Sequence, residues 1–178
     1  MEMESHFIEG EWLYLRELRP SDVEGNYYRW MNDPEVTRHL ESRFFPQSLE
    51  DLRNYVKAAQ ERRDSVLFAI VLKNGLRHIG NIKLGGIHWI HRSADVGLLI
   101  GEKDCWGKGY ATEAIRLVTA YAFNTLNLRR LVAGCYDANG GSANAFLKAG
   151  WKEEGRRESR YFCQGHYCGE ILLGIVRP

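Results

Sequence analysis

Between Val96 and Leu126 an apolar run, Val96-Gly97-Leu98-Leu99-Ile100, passes through Gly101 and a short polar stretch into the turn Trp106-Gly107-Lys108-Gly109-Tyr110, and from there into a long amphipathic segment. No other stretch limits the fold as strongly. The apolar run predicts a strand, and the paired glycines predict a turn whose backbone other residues adopt only with strain. After the turn, Ala111, Ala114, Ile115, Val118, Tyr121 and Ala122 recur at helical spacing, with Glu113 and Arg116 off that face. A strand, a glycine turn and a helix start in direct succession make an anion cradle. Backbone N–H groups converge there, and the helix start adds partial positive charge.

The surrounding chain supplies material for one domain to hold that cradle. It has 178 residues, of which 44% are hydrophobic, enough to bury one core and marginal for two. The formal net charge of +1 gives no field that favours nucleic acid or an acidic membrane surface. No apolar run approaches the roughly 20 residues that span a bilayer. The start, Met1-Glu2-Met3-Glu4-Ser5, is acidic and polar where a signal peptide is basic and then apolar, so the expected location is the cytoplasm. Cys105, Cys135, Cys163 and Cys168 form no C-x-x-C pair and no disulfide framework. Cys163, His166 and Cys168 are close enough for zinc, but they lack a fourth ligand and flank a turn at Gly165. Free thiols and no metal are expected.

In chain order, Trp12 to Leu15 with Leu18 reads as a strand stopped by Pro20-Ser21-Asp22. Ser21 and Glu24 have the spacing of a capping box for a short helix through Trp30, broken at Asp33-Pro34. A loop from Ser42 to Gln47 precedes a helix that starts near Ser48 and Asp51. Val66 to Leu72 is apolar at every position and suits a strand buried on both faces. Asn74-Gly75 turns the chain into an alternating strand, Ile79 to Leu84, with a bulge at Gly85-Gly86 and a continuation to about His91-Ser93. Arg130 to Tyr136 is the next strand. Ser142 is a candidate N-cap for a short helix, Ala143 to Ala149, ending at Gly150. Two strands follow Trp151. The order predicts an α+β domain over 1–178, with one mixed sheet of about seven strands and about four helices.

Three phosphate-binding patterns compete for the turn. A P-loop, G-x-x-x-x-G-K-S/T, fails because Lys108 lies between the two glycines. A dinucleotide fingerprint fails because Thr112 stands where its third glycine belongs, and no acidic residue lies at Leu126 to Leu128. The pyrophosphate loop of acetyl-CoA, Q/R-x-x-G-x-G/A, matches at Gly109 and Ala111, with Trp106 in first place.

The context of that loop resembles the GNAT-type N-acetyltransferases, in particular their Rim-like branch, over nearly the whole chain. Leu15 to Asp22 is similar to the first strand and turn of that family, and Trp30-Met31-Asn32-Asp33-Pro34-Glu35-Val36 to the end of its first helix. Trp106 to Ala114 is similar to the branch's loop, and Asn139, Ser142 and Gly150-Trp151 to its N-x-x-S…G-F/W segment. The resemblance implies that the strand Val96 to Ile100 splays from a parallel neighbour, Arg130 to Tyr136. The pantetheine arm of acetyl-CoA then inserts beside Leu98, Leu99 and Ile100. The turn residues Gly107, Lys108, Gly109, Tyr110, Ala111 and Thr112 take the pyrophosphate, with Asn139, Ser142 and Phe146 further along the coenzyme. Trp106 is either part of that loop or packing beneath it. Residues 66–178 become the coenzyme core with a C-terminal hairpin, and 12–65 the acceptor side.

Acetyl transfer to an amine needs a base, a site for negative charge on the carbonyl oxygen, and a proton for the leaving thiolate. Many relatives carry a tyrosine seven residues after the position of Asn139; here that residue is Phe146, which carries no acidic proton. The resemblance therefore points to Ser142 as donor, with simple helix capping as the other reading. Asp95 is the candidate base, or a solvated charge at a strand end. Tyr161, the third catalytic candidate, stands where some ribosomal-protein acetyltransferases have a glutamate, a departure from that substrate class. Arg43, Phe44, Phe45 and His88 are expected to line the acceptor cleft, although a lone histidine is more often structural. The expected acceptor is a small amine or amino sugar. A protein N-terminus and a CoA-binding module without turnover are the alternatives. A homodimer through the C-terminal strands is left open.

Overall fold

Val66 to Leu72 is apolar at both parities because neither face meets water. In the computed structural model, which describes residues 6–178, it is β3 (Val66–Leu72), antiparallel between β2 (Leu13–Glu17) and β4 (Arg77–His88). β1 (Ile8–Glu9) edges β2, and β5 (Ser93–Ile100) pairs with β4. β6 (Arg130–Tyr136), β8 (His166–Val176) and β7 (Lys152–Cys163) complete one eight-stranded sheet in the order β1-β2-β3-β4-β5-β6-β8-β7. All neighbours are antiparallel except β5 and β6, which are joined by a crossover helix, as parallel strands require.

Two apolar layers flank the sheet. On one face α5 (Tyr110–Asn124) and α6 (Gly140–Lys148) bury Ala114, Ile115, Val118 and Phe146 against Ile82, Leu84, Val96 and Leu131. On the other, three short helices, α1 (Pro20–Asp22), α2 (Tyr28–Met31) and α3 (Pro34–Thr37), and the longer α4 (Leu49–Glu61) place Val23, Trp30, Leu52 and Val56 over Tyr14, Ala69 and Val71. A π-helical turn, Val23–Tyr27, links α1 to α2. No helix among the described residues is long and apolar enough to cross a membrane.

Four local expectations are corrected. The first helix begins at Pro20, and Asp22 rather than Glu24 closes it by accepting the Arg19 N–H at 2.7 Å. β4 ends at His88, because a tight turn with Arg92 at φ 56° already reverses the chain before β5. The N-cap of α6 is Asn139, whose Oδ1 accepts the Ser142 N–H at 3.3 Å; Ser142 is the third helical residue. Cys163 and Cys168 form a disulfide, since the β7–β8 turn brings their Cα atoms to 6.1 Å, which removes the free-thiol and zinc readings together. Cys105 and Cys135 are free and buried.

Candidate active site

β5 and β6 pair only at Ser93–Arg130, Ala94–Leu131 and Asp95–Val132. Beyond that point β5 holds to β4 as far as Ile100, while β6 holds to β8 as far as Tyr136. The sheet forks, and a cleft of about 530 Å³ opens there. Leu98, Leu99, Gly134, Asn139, Ser142 and Phe146 line it around the fork. Asp95 lies at its base, and Asn81, Tyr136 and Tyr161, with Tyr27 and Tyr55 from the N-terminal helices, also line it.

The glycine turn lies between the outer end of β5 and α5. Gly107 and Gly109 have φ of 72° and 88°, the left-handed region that a Cβ disfavours. Gly109 is the N-cap of α5 and supplies no side-chain cap, so the first N–H groups of the helix have no partner within it. Lys108 is exposed, Tyr110 and Ala111 are half-buried, and Thr112 is buried. Trp106 donates from Nε1 to the Ile100 carbonyl at 2.8 Å and packs against Leu99's side of the core. It fastens the turn to β5 from below, the packing alternative left open above.

Within the fork, burial pushes the Cys135 thiol above its ordinary range, and the neighbouring Ser142 opposes that shift. Phe146 is buried and meets Trp151 edge to face at 4.7 Å. Asp95 is the third residue of β5, inside the strand rather than at its start. Burial pushes its carboxyl above the ordinary aspartate range. Gly86, at φ 56°, makes room for it: a Cβ there would stand 3.0 Å from Asp95 Oδ2.

The far wall is a polar network. Tyr161 stacks on Tyr136 at 4.1 Å and donates to Glu170 Oε1 at 2.8 Å. Burial and the Glu170 carboxylate push the Tyr161 hydroxyl up to about 12, so it stays protonated at neutral pH. Arg157 donates to the other Glu170 oxygen at 2.9 Å. Tyr136 donates to Glu41 and accepts from Arg43 Nη1 at 2.7 Å.

Of the expected acceptor residues, Arg43 meets Phe44 and shares a hollow with Phe45, while His88 lies apart. Arg43 is a strut: it also donates to the Leu40 and Phe162 carbonyls, at 2.8 and 2.7 Å, with its guanidinium 4.1 Å over the Phe44 ring. Phe44 is not part of the cleft wall, and Phe45 lines a neighbouring hollow between α3 and the β7–β8 turn. His88 stacks on His91 at 4.2 Å in the β4–β5 turn, at the closed end of the fork. Sequence reasoning missed Asn81, Tyr136, Glu41 and Glu170. Asn81 and Lys83 alternate with Ile82 and Leu84 and so read as a solvent face; in the fold that face lies beneath Tyr27 and Tyr55.

A family model described as an acetyltransferase (GNAT) domain matches residues 13–152. The chain is 30% identical to the probable N-acetyltransferase YjcK of Bacillus subtilis, over 96% of this chain and 97% of that protein. It is 28% identical to the spermidine N(1)-acetyltransferase of Vibrio cholerae, over 87% of each. The crystal structure of the spermidine N-acetyltransferase of Vibrio cholerae in complex with CoA and spermine matches the fold with a TM-score of 0.82, at 24% identity over 92% of this chain and 95% of that one. A forked parallel pair, a glycine turn capping the crossover helix and a domain-long family match agree: the chain belongs to the GNAT family of acetyltransferases.

Proposed function

We propose that the chain transfers an acetyl group from acetyl-CoA to a primary amine by direct attack in a ternary complex, and that the amine is a small molecule such as an amino sugar. The observation that carries the reading is the fork: beyond Asp95 the facing backbones of β5 and β6 are not paired with one another, and unpaired strand edges recruit an extended partner. The pantetheine arm is such a partner, and Leu98 and Leu99 line its path. The left-handed Gly107 and Gly109 and the uncapped start of α5 fit a pyrophosphate. The V. cholerae enzyme solved with CoA has the same fold, and the spermidine acetyltransferases among the relatives support a small acceptor. The Trp106 to Ala114 loop supports the Rim-like branch. The acceptor side draws on residues 12–65 through Tyr27 and Tyr55, with the coenzyme core in 66–178.

When bound, the thioester supplies the activated acetyl group; the chain supplies the rest. An aliphatic amine has a pKa near ~10, so a base must take its proton. Asp95, raised by burial at the cleft floor, does so through water. A backbone N–H on the free edge of β5 holds the carbonyl oxygen as it gains charge. Ser142 relays a proton from water to the departing sulfur and takes one back in the same step, so the hydroxyl is unchanged. Phe146, beside it, excludes water. Tyr161 keeps its proton and walls the acceptor side through Glu170.

Incubation of the chain with acetyl-CoA and a panel of amino sugars, polyamines and peptides with free N-termini, read by mass spectrometry, tests this. Acetylated small amines are expected. Acetylation of the peptides alone would replace the acceptor class, and CoA binding with no acetylated product would leave a binding module.

A further inference from the structure

β4 presents two faces. Ile82 and Leu84 point into the layer beneath α5, while Asn81, Lys83 and Gly85 face the cleft. Across the ladder Asn81 pairs with Leu99, Lys83 with Gly97 and Gly85 with Asp95. Gly97 leaves the floor hollow: a Cβ added there would meet nothing within 4 Å. Beside this hollow Asn81 is only 5% exposed, yet its Nδ2 has no hydrogen-bond partner. Leaving a buried polar group unpaired costs about 1–3 kcal/mol, and such groups call for an explanation.

The orientation of that amide is fixed by its neighbours. His78 Nε2 lies 2.9 Å from the Gly80 carbonyl and 2.8 Å from the nearer side-chain atom of Asn81. A carbonyl only accepts, so Nε2 carries the hydrogen, and the Asn81 atom facing it must be the oxygen. Behind His78 the chain of contacts continues: its Nδ1 is 3.5 Å from Asp22, and Asp22 is gripped by Arg16 through bonds of 2.7 and 2.8 Å. Burial pushes the His78 imidazole below its ordinary range, against the pull of the Asp22 carboxylate. The Asn81 NH₂ is therefore left as a buried donor without an acceptor, on a residue that lines the cleft. Two residues along the same face, Lys83 Nζ lies 3.2 Å from the Tyr55 hydroxyl, a second donor and a cation.

We infer that Asn81 and Lys83 are the specificity residues for the acceptor, and that they select an amine whose skeleton bears oxygen acceptors over a bare polyamine. This rests on the acetyltransferase reading of the cleft. A polyamine is protonated at its remaining nitrogens near neutral pH, so it would set donor against donor at Asn81 and cation against cation at Lys83. A hydroxyl or phosphate oxygen accepts from both. The carboxylates of the cleft do not reverse this preference: Glu41 accepts from Tyr136, and Asp95 lies at the base of the fork, where the reacting nitrogen arrives.

The test is kcat/KM for glucosamine, glucosamine 6-phosphate, cyclohexylamine and spermidine, for the unaltered chain, Asn81→Leu and Lys83→Met. The unaltered chain is expected to favour the oxygen-bearing amines by at least about 10-fold. Asn81→Leu lowers the glucosamine-to-cyclohexylamine ratio about 10-fold, mainly through the acceptor KM, with KM for acetyl-CoA unmoved. Lys83→Met lowers the glucosamine 6-phosphate-to-glucosamine ratio by a similar factor, and it decides the matter if Asn81→Leu fails to fold. A preference for spermidine, or ratios unchanged in both variants, overturns the assignment and leaves the acetyltransferase reading standing. Binding of CoA without acetylation of any amine brings down that reading and the assignment with it.

Discussion

Asp95 and Ser142 stand on opposite sides of the fork, one on β5 and one on α6, and the proposed chemistry divides between them. Burial raises the Asp95 carboxyl, and only its ionised form accepts a proton. The acidic limb of kcat/KM is therefore expected above the ordinary aspartate range: activity falls as pH drops through the raised value and levels off above it. Asp95→Asn should remove that limb and lower kcat about 10²–10⁴-fold; a limb that survives in the variant would assign the base elsewhere. Ser142→Ala should lower kcat while leaving the melting temperature unmoved, because capping of α6 belongs to Asn139. A fall in melting temperature with kcat intact would give Ser142 a structural role instead. Single residues were legible in the sequence where a backbone rule governs them, as at Gly107 and Gly109. Arg43 and His88 were not: the Arg43 partner Phe162 lies far along the chain, and His88 stacks on His91 within the β4–β5 turn.

At the scale of elements, the glycine turn and α5 do the positioning. Gly109→Ala puts a Cβ into a φ of 88°, a strain of roughly 1–2 kcal/mol. It should weaken CoA binding by about 10-fold or more, as measured by calorimetry. An unchanged affinity would remove the turn from the coenzyme site. The strand β3, the helix α5 and the strand β6 lie where apolar periodicity puts them, because each is long and its pattern has one reading. Short elements escaped. The two-residue β1 carries too little pattern to register, and the cap of α6 lies three residues before the expected Ser142, since Asn, Gly and Ser all suit a helix start. The fork itself was expected from the family resemblance, not from pattern, because no local propensity encodes where two parallel strands part.

Across the whole molecule, Trp30 locks the N-terminal helices to the coenzyme side, together with the Arg29–Glu102 pair and the Lys103 bridges to Asp33 and Glu35. Trp30 donates to Glu102 Oε1 at 2.8 Å, and its indole lies so close to Gly101 that an added Cβ would stand 2.0 Å from the ring. Gly101 follows β5 directly, so the wall over the cleft floor is registered against the end of the fork. Trp30→Ala should destabilise the chain by about 3–5 kcal/mol in denaturant unfolding; a loss below about 1 kcal/mol would mean that the helices dock by other contacts. The central claim is that both substrates meet in one cleft and react directly. Initial rates of thiol release, with acetyl-CoA and glucosamine both varied, test it most directly. Intersecting double-reciprocal lines, with no thiol released before the amine is added, are expected. Parallel lines with a burst of thiol in the absence of amine would show a covalent acetyl-enzyme instead, and contradict the account.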